Sequence, residues 1–296
     1  MTRIQKQNMA WGYLFIFPAI IGLSIFIVAP MIFSLIVSFT DWDMVSSFHW
    51  VSFQNYSNIL TDDINFWNSI KVTFFYAILQ VPCVQIFAFL LANLLNSKIK
   101  GLSFFRTIFY IPSIFPFIAV AILWMFIYNP DFGLLNQLLG VFHIPPQDWL
   151  VSKSLVLPSL VFMSMWMSGG AMIIYLAALQ GVPNHLYEAV EIDGGGRIRK
   201  FWHVTVPMLS PIIFFNSLMG LIGVMQTFNE AYVMTNGGPD KQTYFYLFMI
   251  YREAFTDGNM GYASALAWIL FIILGGLSIT IFKFSRNFVH YEAGGK

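Results

Sequence analysis

Charge is what this sequence has least of. Only 10% of its 296 residues are Asp, Glu, Lys or Arg, against about 25% in a soluble domain. That is too little charge to cover a water-facing surface, so most of the chain is expected in lipid. Cys83 is the only cysteine, which excludes an internal disulfide and a cysteine zinc site; ordinary helix packing is expected for it. The formal net charge is +1, and nothing points to nucleic acid as a partner. No GxxxxGK[ST] phosphate loop occurs. No HExxH occurs either, and His49, His143, His185, His203 and His290 lie in or beside loops, far apart. Zinc proteolysis therefore has no sequence basis, and no metal site is expected.

What is present is apolar: 58% hydrophobic and 18% aromatic residues, with a mean hydropathy of +0.70. A membrane helix needs roughly 20 mainly apolar residues. Six segments qualify, at about 12–39, 67–95, 104–128, 154–180, 206–235 and 260–283. The first follows Arg3 and Lys6 as a secretory signal would, but it is long and shows no small-residue cleavage site, so a retained helix is expected. Trp42, Trp50, Trp67, Trp149 and Trp202 fall near segment ends, where indole prefers the membrane–water boundary. Eight prolines (Pro18, Pro30, Pro82, Pro112, Pro116, Pro158, Pro207 and Pro211) lie in or near spans and predict kinks.

Lys and Arg placement sets the orientation. With the N-terminus inside, the inner segments hold Arg3, Lys6, Lys98, Lys100, Arg106, Arg197, Arg199, Lys200, Lys283, Arg286 and Lys296, eleven of the fifteen. Lys71, Lys153, Lys241 and Arg252 remain outside. The expected architecture is an all-α, multi-pass membrane domain over 1–296, with six transmembrane helices, both termini cytoplasmic and a cytoplasmic 181–205 loop.

That loop contains the most charged stretch, "YEAVEIDGGGRIRKFWHVTVP" over 187–207. Pro183-Asn184 supplies a candidate N-cap at Asn184 for a short helix carrying Glu188, Glu191 and Asp193. The triple glycine 194–196 ends it, and "RIRKFWHV" leads to Pro207. Leu186, Ala189, Val190 and Ile192 are expected to form one apolar face. So short a helix is marginal in water and needs something to pack against. Three readings stay open from the residues alone: a membrane-surface segment with Phe201 and Trp202 at the interface and its basic residues on lipid phosphates, a solvated connector, or a docking element for another protein.

The spacing of this stretch resembles the EAA loop of permease subunits of binding-protein-dependent ABC importers. Glu188-Ala189-Val190 is followed by three residues and Gly194, and nine more lead to Val204-Thr205-Val206-Pro207. Val190, Val204 and Val206 depart from the family's Ala, Ile and Leu. "YLFIFPAIIGLSIFIVAPMIFSLIVSFTDWD", "FFRTIFYIPSIFP" and "MTNGGPDKQT" resemble the first span, the third span and the outer end of the fifth span of its carbohydrate-uptake group, in the maltose- and glycerol-phosphate-permease branch. The resemblance covers most of the chain, from Tyr13 to about Phe284. It implies a type I ABC importer permease fold with a cytoplasmic coupling helix, in a bacterial or archaeal cytoplasmic membrane. It implies ATPase coupling through Glu188, Ala189, Val190, Asp193 and Gly194, and contact with an external binding protein at Gly237, Gly238 and Pro239. The implied partners are a second homologous permease, two ABC ATPase subunits, a periplasmic or extracellular sugar-binding protein, a saccharide and membrane lipid. No cofactor is expected on this chain, which would not be an enzyme; ATP-Mg would sit on the partner ATPase.

A substrate pathway has candidates within the spans. Glu230 is the only acid well inside one, and an intramembrane ionisable residue is a functional candidate. Gly220, Gly223, Gln226, Thr227 and Glu230 share a face if the fifth span is one helix. Met163, Trp166 and Gly170 do the same on the fourth, with Trp166 the best candidate to stack on a sugar. Helix–helix packing explains both stripes equally well. The spans bury no Lys or Arg to suit a phosphate ester, so a neutral saccharide is expected. An intramembrane aspartyl enzyme would need paired acids. A secondary transporter or channel acting without an ATPase is the alternative, and it would show more buried charge for ion coupling.

Overall fold

The computed structural model describes residues 3–97 and 101–285, with residues 3–10 described by their backbone. Lys98, Lys100, Arg286, His290 and Lys296 lie outside the described residues. The helices in chain order are α1 (Arg3–Leu23), α2 (Ala29–Val37), α3 (Gln54–Thr61), α4 (Ile64–Leu95), α5 (Leu102–Tyr110), α6 (Phe117–Ile127), α7 (Leu134–Val141), α8 (Val156–Trp166), α9 (Gly169–Gln180), α10 (Asn184–Ile192), α11 (Arg197–Lys200), α12 (Val206–Met225), α13 (Tyr246–Tyr251) and α14 (Met260–Ser285). The described residues contain no strand, only an isolated bridge between Thr40 and Trp50. A helix satisfies every backbone group within its own segment, which is what lipid demands.

Four helical stretches are long and apolar enough to cross a membrane: Trp11–Val37, Ile64–Leu95, Arg197–Met225 and Met260–Ser285. Six result if each of two bent pairs is one span. The expected third and fourth spans correspond to these bent pairs. The third bends by 101° between Ile114 and Phe117 and the fourth by 50° between Trp166 and Gly169. Pro112 and Pro116 account for the first break, since proline removes a backbone donor and its ring clashes with the preceding turn. The second break contains no proline. The expected fifth span also ends early: α12 stops at Met225, and helical geometry resumes as a π-turn over Glu230–Thr235.

The chain divides into two compact units. One comprises residues 1–63 and 250–271. In it α1 runs through a π-turn, Ser24–Val28, into α2. Its apolar side chains are exposed, Phe15 by 80% and Phe26 by 78%, as a lipid-facing helix requires. Asn55 on α3 is buried and donates Nδ2 to the carbonyls of Ser38 (2.9 Å) and Thr40 (2.8 Å). The Gly261 N–H donates to Trp42 O at 2.9 Å. A Cβ on Gly261 would lie 2.0 Å from Thr40 O, so only glycine allows this approach.

The other unit comprises residues 64–249 and 272–296. Its centre is α4, which packs against α8, α9 and α12. One buried cluster joins Ala88, Ala92 and Leu95 of α4 to Met172, Tyr175, Leu176 and Leu179 of α9, together with Val182, Val204 and Leu209. Alanines on α4 let the larger residues of α9 seat closely, the usual device for helix association in lipid. A polar bridge crosses the same helices: Tyr175 donates its hydroxyl to Gln85 Oε1 (2.9 Å), and Gln85 Nε2 donates to Asn216 O (3.1 Å). Cys83, expected within a packed face, is exposed on α4.

Candidate functional site

Three places carry the residues singled out from the sequence. The first is the loop after α9. α10 spans Asn184–Ile192. Its N-cap is Pro183, and Asn184, expected to cap it, is the first helical residue with no capping bond; Pro183 already has the extended backbone of an N-cap residue. The C-terminus closes as the sequence requires. Gly194 takes φ +76°, its N–H donates to Glu191 O (3.0 Å), and the Gly195 N–H donates to Val190 O (2.8 Å). These two bonds form a Schellman motif, which needs the left-handed geometry of glycine. Gly195 is equally constrained, because a Cβ there would lie 2.5 Å from Val190 Cγ1 and 2.8 Å from Val190 O.

The helix has two distinct faces. Leu186, Tyr187 and Val190 pack against the buried cluster of α4, α9 and α12, and the Tyr187 hydroxyl lies 3.1 Å from Thr205 Oγ1. Glu188, Ala189 and Asp193 are exposed. Ala189 and Ile192, expected on the packed face with Leu186 and Val190, are instead exposed, Ile192 by 86%, and Ile198 is 78% exposed. A helix of nine residues turns Ile192 two positions beyond Val190, to the opposite side. Lys200 Nζ sits 2.7 Å from Glu191 Oε2 and ties α11 to α10. That ammonium holds the Glu191 carboxyl below the usual carboxylate range.

The second place is the set of candidate spans. Met163 is fully buried, so it packs and faces no cavity. Trp166 is 39% exposed and stands edge-on to Trp124, ring centroids 5.8 Å apart. Gly170 belongs to the second half of the bent span and has open space around it. Its neighbour Gly169, not singled out, is the one under constraint: a Cβ would lie 2.5 Å from Phe109 O and 2.9 Å from Tyr110 Cα. On α12, a Cβ on Gly220 would lie 3.0 Å from Gln85 Nε2, so this residue makes room for the polar bridge. Gly223 and Gln226 are exposed, Thr227 is buried and Glu230 is half-buried. Because α12 ends at Met225, helical spacing does not carry the stripe from Gly220 through to Glu230. Arg106, expected to be unburied, is half-buried and donates Nη2 to Leu95 O at 3.2 Å.

The third place is the turn at 237–239. Gly237 has φ +81° and lies against the Phe248 and Tyr244 rings; a Cβ would meet them at 2.9 and 3.0 Å. Gly238 donates its N–H to Thr235 O (2.9 Å) and accepts from the Thr243 hydroxyl (2.7 Å). Lys153 pairs with Asp240, and Lys241 donates to the Asn65 amide oxygen. Its own neighbours therefore fix the turn. In the other unit, a cavity of about 330 Å³ lies among Asp41, Asn55, Asp63, Glu253 and Tyr262. The sequence reading missed it because its acids come from segments some 200 residues apart. Burial raises the Glu253 carboxyl.

Among known proteins, the profile of the family described as "Binding-protein-dependent transport system inner membrane component" matches residues 85–284. The chain is 40% identical over 294 residues to the probable ABC transporter permease protein YesP of Bacillus subtilis (strain 168), covering 98% of this chain and 94% of that one. It is 31% identical to the multiple sugar-binding transport system permease protein MsmF of Streptococcus mutans, covering 97% and 99%. A solved bacterial ABC transporter involved in the import of the acidic polysaccharide alginate has a chain with the same fold, at a TM-score of 0.85 and 21% identity over 98% of this chain and 100% of that one.

Proposed function

The chain belongs to the family of binding-protein-dependent transport system inner membrane components, and from that membership we propose that it is a permease subunit of an ATP-driven sugar or oligosaccharide importer. It forms half of a translocation pathway, beside a second, related permease. Two ATPase subunits drive it from the cytoplasm, and an external sugar-binding protein delivers the cargo. Its place is a bacterial or archaeal cytoplasmic membrane, crossed six times, with both termini and the α10 loop cytoplasmic. ATP hydrolysis belongs to the partner subunits.

The observation that carries this reading is the two-faced build of α10. Its inner face is packed into the ends of α4, α9 and α12, while Glu188, Ala189 and Ile192 stand free. A partner that grips the free face moves those three helices with it. The Schellman turn and the Lys200–Glu191 pair make α10–α11 one stiff handle. Differential contact with ATP-bound and nucleotide-free ATPases then biases the pathway between its two states. Within the pathway, Trp166 offers an aromatic face to a sugar's C–H surface, and Glu230 and Gln226 offer partners for its hydroxyls. The turn at Gly237–Pro239 receives the binding protein. A saccharide cargo is supported by the relative MsmF, a permease of a multiple sugar-binding transport system.

Cross-linking tests the coupling. Glu188→Cys, in a Cys83→Ser background, is expected to cross-link to the ATPase subunit in native membranes. A cross-link only to lipid-facing reagents, or to none, would overturn it. The cargo is read by the thermal shift of the cognate binding protein against a panel of neutral, acidic and phosphorylated sugars.

A further inference from the structure

The fourth span contains serines four or five residues apart that behave differently. Ser159 donates its hydroxyl to Leu155 O (2.8 Å) and Ser164 donates to Leu160 O (2.9 Å). This is the bond a serine makes to the carbonyl one turn back in a continuous membrane helix. Ser168 is buried, only 5% exposed, and its hydroxyl has no partner. The carbonyl it would use is Ser164 O, and the break withholds it. Met167 and Ser168 have ψ near zero, 3° and 6°, and the Ser168 N–H has tightened onto Met165 O, three residues back, at 3.1 Å. A buried hydroxyl without a partner is unfavourable, so the bent state carries a penalty that a straight helix would relieve.

The bent state is held from outside. Gly169, the first residue after the break, lies against the backbone of Phe109 and Tyr110 at the end of α5, too close to admit a Cβ. The segment Ser168-Gly169-Gly170 has no proline, so every backbone N–H needed by a straight helix is present. A Gly/Ser segment is one of the few recognised causes of a sharp kink.

We propose that Met167–Gly169 is a two-state hinge in the fourth span. In the bent state Gly169 is docked on the third span. In the straight state Ser168 recovers its bond to Ser164 O. This rests on the permease reading, because ATPase closure is what shifts the balance. The free Ser168 hydroxyl makes the two states close in energy, so a modest push through α9, which packs on α10's own core, can switch them.

The test uses the complete importer in proteoliposomes, with Cys83→Ser and spin labels at Ser154→Cys and Gln180→Cys. Straightening a 50° bend in a rod of roughly 36 Å lengthens it by about 3 Å. The label distance is expected to lengthen by that amount when a non-hydrolysable ATP analogue is added. Ser168→Ala is expected to keep the short distance and slow transport severalfold, while Ser168→Thr, which retains the hydroxyl, restores both. An unchanged distance in a sample that transports with ATP would overturn the hinge alone, as would Ser168→Ala behaving as wild type. A sample with no ATP-driven transport would instead overturn the permease reading.

Discussion

Lys200 reaches back across the triple glycine to Glu191, with Nζ 2.7 Å from Oε2. The pair closes the loop between α10 and α11 on the side away from the packed core. It follows from the Schellman turn, which reverses the chain so that residues nine apart in sequence become neighbours.

The pair fixes a sign for pH dependence. The folded Glu191 carboxyl titrates below its usual value because of Lys200. Its contribution is therefore complete above the ordinary Glu pKa of about 4.3 and is lost as pH falls through the lower, folded value. A carboxyl titration followed by NMR is expected to place Glu191 below an exposed reference Glu, and Lys200→Met is expected to return it to the ordinary range. An unchanged midpoint would mean that the pair does not persist in solution.

Gly194 and Gly195 are expected to fail for different reasons. Gly194→Ala strains a left-handed backbone, about 1–2 kcal/mol, and leaves open space around the methyl. Gly195→Ala drives a methyl into Val190 and distorts the turn itself. ATP-driven uptake is expected to fall modestly in the first and severely in the second. Gly194→Pro and Glu188→Lys are both expected to abolish uptake while the external protein still binds its sugar. Normal transport by Gly194→Pro and Glu188→Lys would remove the coupling role.

Trp166→Ala is expected to lower maximal uptake about tenfold, near 1.4 kcal/mol on the barrier. The sugar affinity of the binding protein should not change. Met163→Ala is the contrast: it empties a fully buried site and should cost about 2–5 kcal/mol of stability. Thermal aggregation of the detergent-solubilised protein separates the two, since only the Met163 variant should aggregate at a lower temperature.

Gly261→Ala is expected to destabilise the unit built from residues 1–63 and 250–271, because its methyl would meet the Thr40 carbonyl. Overpacking of this kind costs about 1–3 kcal/mol. Gly12→Ala, with nothing within 4 Å, serves as the control. Equal thermal stability of the two variants would contradict the described approach of α14 to Thr40.

The sequence carried the helices well, because hydropathy alone marks a segment that must satisfy its backbone in lipid. It also carried the α10 turn, since glycine at 194 and an acidic helix before it leave few alternatives. Helix breaks were less legible. Proline announced the bend at Pro112–Pro116, but nothing in the composition of "MSGGAM" distinguishes a break from a tolerated glycine pair, and nothing in it marks Gly169 as the constrained residue. Ile192 was misplaced for a similar reason: a nine-residue helix is too short for apolar spacing to define its face. The cavity around Asp63 and Glu253 depends on tertiary approach alone.

The central claim is that this chain moves its cargo only when a separate ATPase acts on α10. The direct measurement is sugar uptake into proteoliposomes holding this chain and its partner permease, with binding protein supplied outside and ATP inside, with and without the ATPase subunits. Uptake is predicted only when ATPase and ATP are both present, and it should be lost with Glu188→Lys. Sugar accumulation without the ATPase, or without ATP, would contradict the account.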